Sequence, residues 1–247
     1  MTFRPPSEPD RFAPRFAEIG TLLRAPLATS LEGVDIGLFG IPYDGALTNR
    51  PGARHGPRKI RNQSSLIRTI NHATRIDPFA LCRVCDMGDV AFDQIFDIEA
   101  SHDAIDAFTA ELLAAGILPL AFGGDHSVSL PLLRAIAKDG PVAMIHVDAH
   151  TDTWDSYQGS KFNHGAPFRR AVEENLIDPK ATIQIGIRGT QNLSEGWDYS
   201  EASGMRVVFC EELHDKGPAA IASEARALVG DRPVNLPYDI DSLDTVY

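Results

Sequence analysis

Short apolar runs alternate along the chain with longer stretches of helical period, the pattern expected of a parallel sheet covered by helices. The runs fall at 34–43 (VDIGLFGIPY), 83–90, 117–125 (ILPLAFGGD), 141–148 (PVAMIHVD), 181–188 (ATIQIGIR), 205–210 (MRVVFC) and 233–241 (PVNLPYDID), which makes seven strands. Between them, a helix is expected after Gly56 and Pro57 through Ile60, Ile67 and Ile70. An amphipathic helix follows over 98–115, and another is capped by Ser127 and ended by Gly140. AMIHVD and TIQIGI are apolar on both faces, as central parallel strands are when helices lie on both sides. The expectation is an α/β fold, one three-layer α/β/α domain with a mostly parallel sheet over 34–247, preceded by an N-terminal arm over 1–33.

Composition narrows the partners. A formal charge of −11, from 23 basic and 34 acidic residues, argues against nucleic acid and favours cationic small molecules or metal ions. No apolar run approaches the roughly 20 residues of a membrane span. The N-terminal MTFRPPSEPDRF lacks the apolar centre of a signal peptide, so a cytoplasmic protein is expected, with no membrane partner. Cys82, Cys85 and Cys210 are too few and too scattered for a disulfide framework. The pair in LCRVCDMGDV lies in an apolar stretch and reads as small buried hydrophobes rather than as a redox or zinc motif.

In open parallel sheets the ligand site lies at the carboxyl ends of the strands. Three such ends carry polar groups that packing does not explain: GGDHS at 123–127, DAHTD at 148–152 and DID at 239–241. In an extended chain alternate residues point the same way, so Asp148, His150 and Asp152 converge, and Asp239 and Asp241 do likewise. Four carboxylates packed together repel and raise one another's pKa unless positive charge sits between them, and two divalent cations would supply it. A carboxylate-rich set with the imidazoles of His126 and His150, and no thiolate, ranks Mn²⁺ first, with Ni²⁺ or Co²⁺ behind it and zinc disfavoured.

Through GGDHS, DAHTD and the DID of YDIDSLD, the sequence resembles the ureohydrolase family of arginase, agmatinase, guanidinobutyrase and relatives. The resemblance extends through GIPYDGALTNRPGARHGPRKIR, FNHGAPFRRAVEENLIDP and IQIGIRG, and it is nearest to the agmatinase and guanidinobutyrase branch. It implies an arginase-like fold and two Mn²⁺ per subunit. His126, Asp148, Asp152 and Asp239 would hold one cation, and His150, Asp148, Asp239 and Asp241 the other. Two such metals, about 3.5 Å apart, hold a hydroxide at neutral pH that attacks the guanidinium carbon of a small cationic or zwitterionic substrate and releases urea and an amine. His164 in FNHGAPF matches the family histidine that moves protons near the leaving group, a task suited to an imidazole. The resemblance also implies a homo-oligomer, trimer or hexamer, and polyamine metabolism if the substrate is agmatine. Arg50, Arg54 and Arg58 read as structural. Asn163, Arg188, Glu195 and Trp197 follow strand ends and read as solvated loop residues in preference to a pocket for the substrate tail.

The chain departs from the family pattern near its end. Relatives continue past the third motif through another strand, a helix and a glutamate that contacts the guanidinium, so a fold truncated at the C-terminus is expected. Pro237 stands where a serine is usual and Thr245 where a proline is usual. A proline inside a central strand would remove a ladder donor and weaken the placement of Asp239. Agmatine is the first expected substrate, with 4-guanidinobutyrate second and arginine third. A catalytically impaired paralogue or fragment is the alternative. The zinc deacetylases, similar in fold, are disfavoured because Asp152 and Asp241 are both present.

Overall fold

The computed structural model describes residues 14–17, 19–191 and 194–243; part of the expected N-terminal arm, and Thr245, lie outside the described residues. The chain divides into two compact units, one of residues 1–45 and 49–125, the other of 46–48 and 126–247. All seven expected strands are present, and every pairing among these seven is parallel.

In the first unit β1 (Ile36–Gly40) lies between β2 (Val84–Asp89) and β3 (Leu118–Phe122). Alternation along β1 sorts its two faces. Ile36 and Leu38 pack with Leu22, Val84, Ile60 of α1 (Gly56–Ser64) and Phe79 of α2 (Pro78–Leu81). On the other face Phe39 meets Phe108 of α3 (Ile98–Ala114), with ring centroids 5.0 Å apart. Asp97 caps α3 by accepting the N–H groups of Glu99 and Ala100. α1 ends at Ser64, short of the expected Ile70, because the Ser64 hydroxyl accepts the N–H of Leu23 at 3.0 Å and Asn71 folds a turn back onto Ala73 and Thr74. Ile70 is therefore exposed rather than buried. The glycine turn after β3 is a close approach: a Cβ on Gly124 would lie 1.7 Å from the Tyr43 carbonyl oxygen, which accepts the N–H of Asp125 at 2.9 Å.

The second unit has strand order β6-β5-β4-β7, with β4 Val142–Val147, β5 Ile177–Ile187, β6 Arg206–Phe209 and β7 Val234–Asn235. Val142 and Met144 of β4 pack with Leu130 and Leu133 of α4 (Ser129–Ile136) and Phe168 and Ala171 of α5 (Pro167–Glu173). The intervening residues Ala143 and Ile145 pack against the far side, where Ile221, Ala225 and Val229 of α8 (Pro218–Val229) close the core. Helices thus cover both faces, as the apolar strands required. α6 (Glu195–Ser203) and α7 (Cys210–Lys216) flank β6. Ser127 does not cap α4; it lies in a 3-10 turn over His126–Val128 that runs straight into the helix.

The last expected strand is much shorter than its apolar run. Parallel alternation turns the nitrogens of residues 235, 237 and 239 toward β4, and Pro237 has no N–H to give. β7 stops at Asn235, and pairing resumes beyond the proline. There the Val147 N–H donates to the Pro237 carbonyl at 3.1 Å and the Asp239 N–H to the Val147 carbonyl at 2.9 Å. Asp239 is therefore tied to β4 on the far side of the break. Among the described residues no helix is long and apolar enough to cross a membrane.

Candidate metal centre

Asp148 is the first residue past the carboxyl end of β4, and its N–H donates to Ile185 of β5 at 3.1 Å. The chain then bends through 148–150 instead of continuing extended, so the gathering of Asp148, His150 and Asp152 is the work of a folded turn and not of strand alternation. Asp152 has φ 50, a left-handed conformation that is strained for a non-glycine residue. It is held there by its own carbonyl, which accepts the Phe168 N–H at the start of α5 at 3.1 Å, and by Thr153, whose hydroxyl bonds to the Gly196 carbonyl at 2.8 Å. Gly186 on β5 has φ 96, and a Cβ there would press to 3.2 Å from the Asp148 carbonyl.

Asp239 and Asp241 are likewise joined by a turn. Residues Ile240–Ser242 form a 3-10 helix in which the Asp239 carboxylate caps the Asp241 N–H. Arg188 braces this turn from β5's end, donating to the carbonyls of Asp241 at 2.7 Å and Leu243 at 3.1 Å. Arg188 is thus engaged with backbone carbonyls rather than being a solvated loop residue.

The three segments converge. His126 Nδ1 lies 3.1 Å from Asp148 Oδ2, 2.9 Å from Asp152 Oδ2 and 3.1 Å from Asp239 Oδ2. Although buried among these oxygens, Nδ1 has none in line as a hydrogen-bond acceptor, which suits a lone pair aimed at a cation in their midst. His150 Nδ1 lies 3.1 Å from Asp241 Oδ2 and 3.6 Å from Asp148 Oδ1. Asp148 therefore faces the first group with Oδ2 and the second with Oδ1. In the first group His126, Asp148 and Asp152 are nearly buried and Asp239 is a quarter exposed, while His150 and Asp241 have side chains 54% and 46% exposed.

The charges bear out how crowded this centre is. Burial alone would depress His126, but its contacts with Asp148, Asp152 and Asp239 hold it well above the usual imidazole range. Contacts with Asp148 and Asp241 raise His150 to about 10. Burial pushes Asp152 up. Asp148 and Asp239, against the pull of their own burial, are held below the usual carboxylate range, Asp148 by His126, His146 and His150 and Asp239 chiefly by His126. The cluster draws cationic charge inward, and all six residues offer the hard oxygen and imidazole donors that divalent cations take.

His146, which lies outside the three sequence motifs, joins this group: its Nε2 lies 2.8 Å from Asp148 Oδ2. It stands two positions before Asp148, so the alternation invoked for the DAHTD motif also points to it. His164 Nε2 is 2.9 Å from the Thr48 hydroxyl, and its ring meets Trp154 edge-on. Asn163 holds a local turn through Ser160 and Gly165, and Glu195 pairs with Arg169 at 2.8 Å. Trp197 packs edge-on against Phe209. Arg54 forms an ion pair with buried Asp44, in keeping with a structural reading. Cys82, Cys85 and Cys210 are free thiols.

The arginase family profile matches residues 34–247. The chain belongs to the arginase family. A guanidinopropionase from Pseudomonas aeruginosa is 46% identical over 235 residues, covering 95% of this chain and 74% of that protein. A mitochondrial agmatinase from Gallus gallus is 42% identical, covering 98% of this chain and 71% of its own length. The solved proclavaminate amidino hydrolase from Streptomyces clavuligerus superposes with a TM-score of 0.90 at 39% identity, over 95% of this chain and 78% of that one. Arginase-family enzymes are binuclear metal hydrolases, and the two groups that share Asp148 here have the donors such a centre needs.

Proposed function

We propose that this arginase-family chain hydrolyses a linear guanidino compound to urea and an amine. The observation that carries the reading is the double reach of Asp148, whose two carboxylate oxygens face the His126 group and the His150 group at once. His126, Asp148, Asp152 and Asp239 would hold one cation, and His150, Asp148, Asp239 and Asp241 the other, with Mn²⁺ the first choice and Ni²⁺ or Co²⁺ after it. When bound, the pair would make water nucleophilic at neutral pH and take up the charge that develops at the attacked carbon. Such help is needed, because a guanidinium spreads its charge over three nitrogens and stays protonated, which makes its carbon a poor electrophile.

The protein's own side chains supply the remainder. Asp148 sets the spacing of the two groups. His164, with Nε2 against the Thr48 hydroxyl, is placed in this reading to hand a proton to the departing amine nitrogen, since the amine leaves well only when protonated. Agmatine is the first substrate in this proposal: the chain's acidic balance attracts a dicationic compound, and a relative named agmatinase is 42% identical. A guanidino acid is the second, favoured by the 46% identity to a protein named guanidinopropionase. The proposal includes a cytoplasmic homo-oligomer, trimer or hexamer, whose subunit number sedimentation would test.

The deciding experiment is urea release by Mn²⁺-loaded protein over agmatine, guanidinobutyrate, guanidinopropionate, arginine and guanidine. One linear compound turned over well ahead of the others is expected. Protein that carries two Mn²⁺ per chain and frees no urea from any of them would overturn the reading in favour of an inactive paralogue.

A further inference from the structure

His146 and Gln184 sit opposite one another in the register of β4 and β5, and both are fully buried. On its face of β4, His146 follows Val142 and Met144, which belong to the apolar core. A histidine and a glutamine side by side in such a place need a reason, because buried polar groups are costly unless satisfied.

The hydrogen bonds determine the proton positions. Gln184 Nε2 lies 2.7 Å from the carbonyl oxygen of Thr151, which can only accept, so this corner of the amide is the NH₂. The same nitrogen lies 3.1 Å from His146 Nδ1. An amide NH₂ can only donate, so Nδ1 must present its lone pair, and the ring's proton sits on Nε2. That N–H points to Asp148 Oδ2 at 2.8 Å. Gln184 Oε1 is buried without a hydrogen-bond partner, so both hydrogen bonds of this side chain come from its nitrogen. Although His146 lies within ligand range of His126 and Asp148, both its ring nitrogens are already in use.

We infer that Gln184 and His146 form a relay that positions the carboxylate shared by the two cation groups. Gln184 locks the imidazole as its Nε2–H tautomer, and His146 spends that hydrogen on one lone pair of Asp148 Oδ2. The His150 backbone N–H does the same for Oδ1 at 2.7 Å, so each carboxylate oxygen is held by one donor and keeps the rest of its electron density for a cation. Phe168 of α5 packs on the His146 ring at 4.4 Å between centroids and fixes its plane. His146 is a positioning residue and touches no substrate. This inference rests on the metal-centre reading above.

Two measurements test it. Long-range proton–nitrogen NMR of the metal-free wild type at pH 8 should show His146 with its hydrogen on Nε2; a hydrogen on Nδ1 overturns the relay without any variant. Mn²⁺ affinity is then measured by calorimetry for wild type, His146→Phe and Gln184→Met, with circular dichroism and melting curves to show that each variant folds. His146→Phe keeps the ring packing and removes the N–H, and Gln184→Met keeps the volume and removes the lock. A loss of about 10–100-fold in affinity is expected for His146→Phe, the usual cost of an outer partner to a ligand. Gln184→Met should lose less and should show mixed tautomers. Unchanged affinity in folded His146→Phe would reduce the residue to packing and overturn the relay. Wild type that binds no Mn²⁺ would instead bring down the metal-centre reading, and the relay with it.

Discussion

Asp239 serves Asp241 and His126 with different oxygens: Oδ1 accepts the Asp241 N–H at 2.9 Å, while Oδ2 lies 3.1 Å from His126 Nδ1. The two duties can be separated. Asp239→Asn keeps an oxygen to cap the turn and loses the charge; Asp239→Ala loses both. Mn²⁺ affinity should fall in both by more than the roughly 100-fold that loss of an outer partner costs. Both variants lose the charge that His126 stabilises, and Asp239→Ala should be less stable than Asp239→Asn by about a further 1 kcal/mol for the missing hydrogen bond. Denaturant melts beside metal titrations read this, and equal melts for the two variants would show that the cap contributes nothing.

The glycine turn ahead of His126 admits no side chain. In Gly124→Ala the new methyl would have to share space with the Tyr43 carbonyl, at 1.7 Å in the present geometry. A loss of at least about 3 kcal/mol in urea unfolding is expected, at the upper end of overpacking costs. A wild-type midpoint would mean that the turn moves aside freely.

In the proposed centre, His150 is expected to make metal loading pH-dependent. Its folded value of about 10 stands above the ordinary 6.5. A raised value means that its proton stabilises the cation-free fold fully below pH 6.5, and that this contribution is lost as pH rises through 10. A cation must displace the same proton, so affinity should climb over this window. Calorimetry of Mn²⁺ binding at pH 8 in two buffers of unlike ionisation heat should show release of roughly one proton or more. Heats that do not depend on the buffer would contradict it.

His164→Ala should cut turnover by about 10²–10⁴-fold, the range for a general acid, while Mn²⁺ content stays at the wild-type level. Thr48→Val, which removes the hydroxyl 2.9 Å from Nε2, should cost less. Loss of metal together with activity in His164→Ala would show it to be a ligand and not a proton carrier.

The strands were legible because apolar runs at strand ends are bounded by glycine, proline and charge. Ile67 and Ile70 misled the reading of α1: their spacing is helical, but Ser64 and Asn71 draw the backbone into other bonds, which a hydrophobic pattern does not register. The run at 233–241 looked continuous because side-chain alternation says nothing of the ladder donor that Pro237 lacks. Residue types pointed to the candidate centre, but the turns that bring those residues together were hidden. The bend after Val147, the left-handed Asp152 and the 3-10 turn after Asp239 are backbone choices enforced by partners as distant as Phe168 and Arg188. His146 was missed for a related reason: inside AMIHVD it looks like a core histidine, and Gln184, which gives it purpose, lies 38 positions away.

The lopsided exposure of the centre has a kinetic side. With His126 and Asp152 side chains each 9% exposed, and His150 and Asp241 about half open to water, the two cation berths proposed above are unequal. A chelator would strip the outer ion first, and a stable singly loaded form would gather during dialysis. Activity regained on adding metal back should then follow the refilling of the outer berth alone.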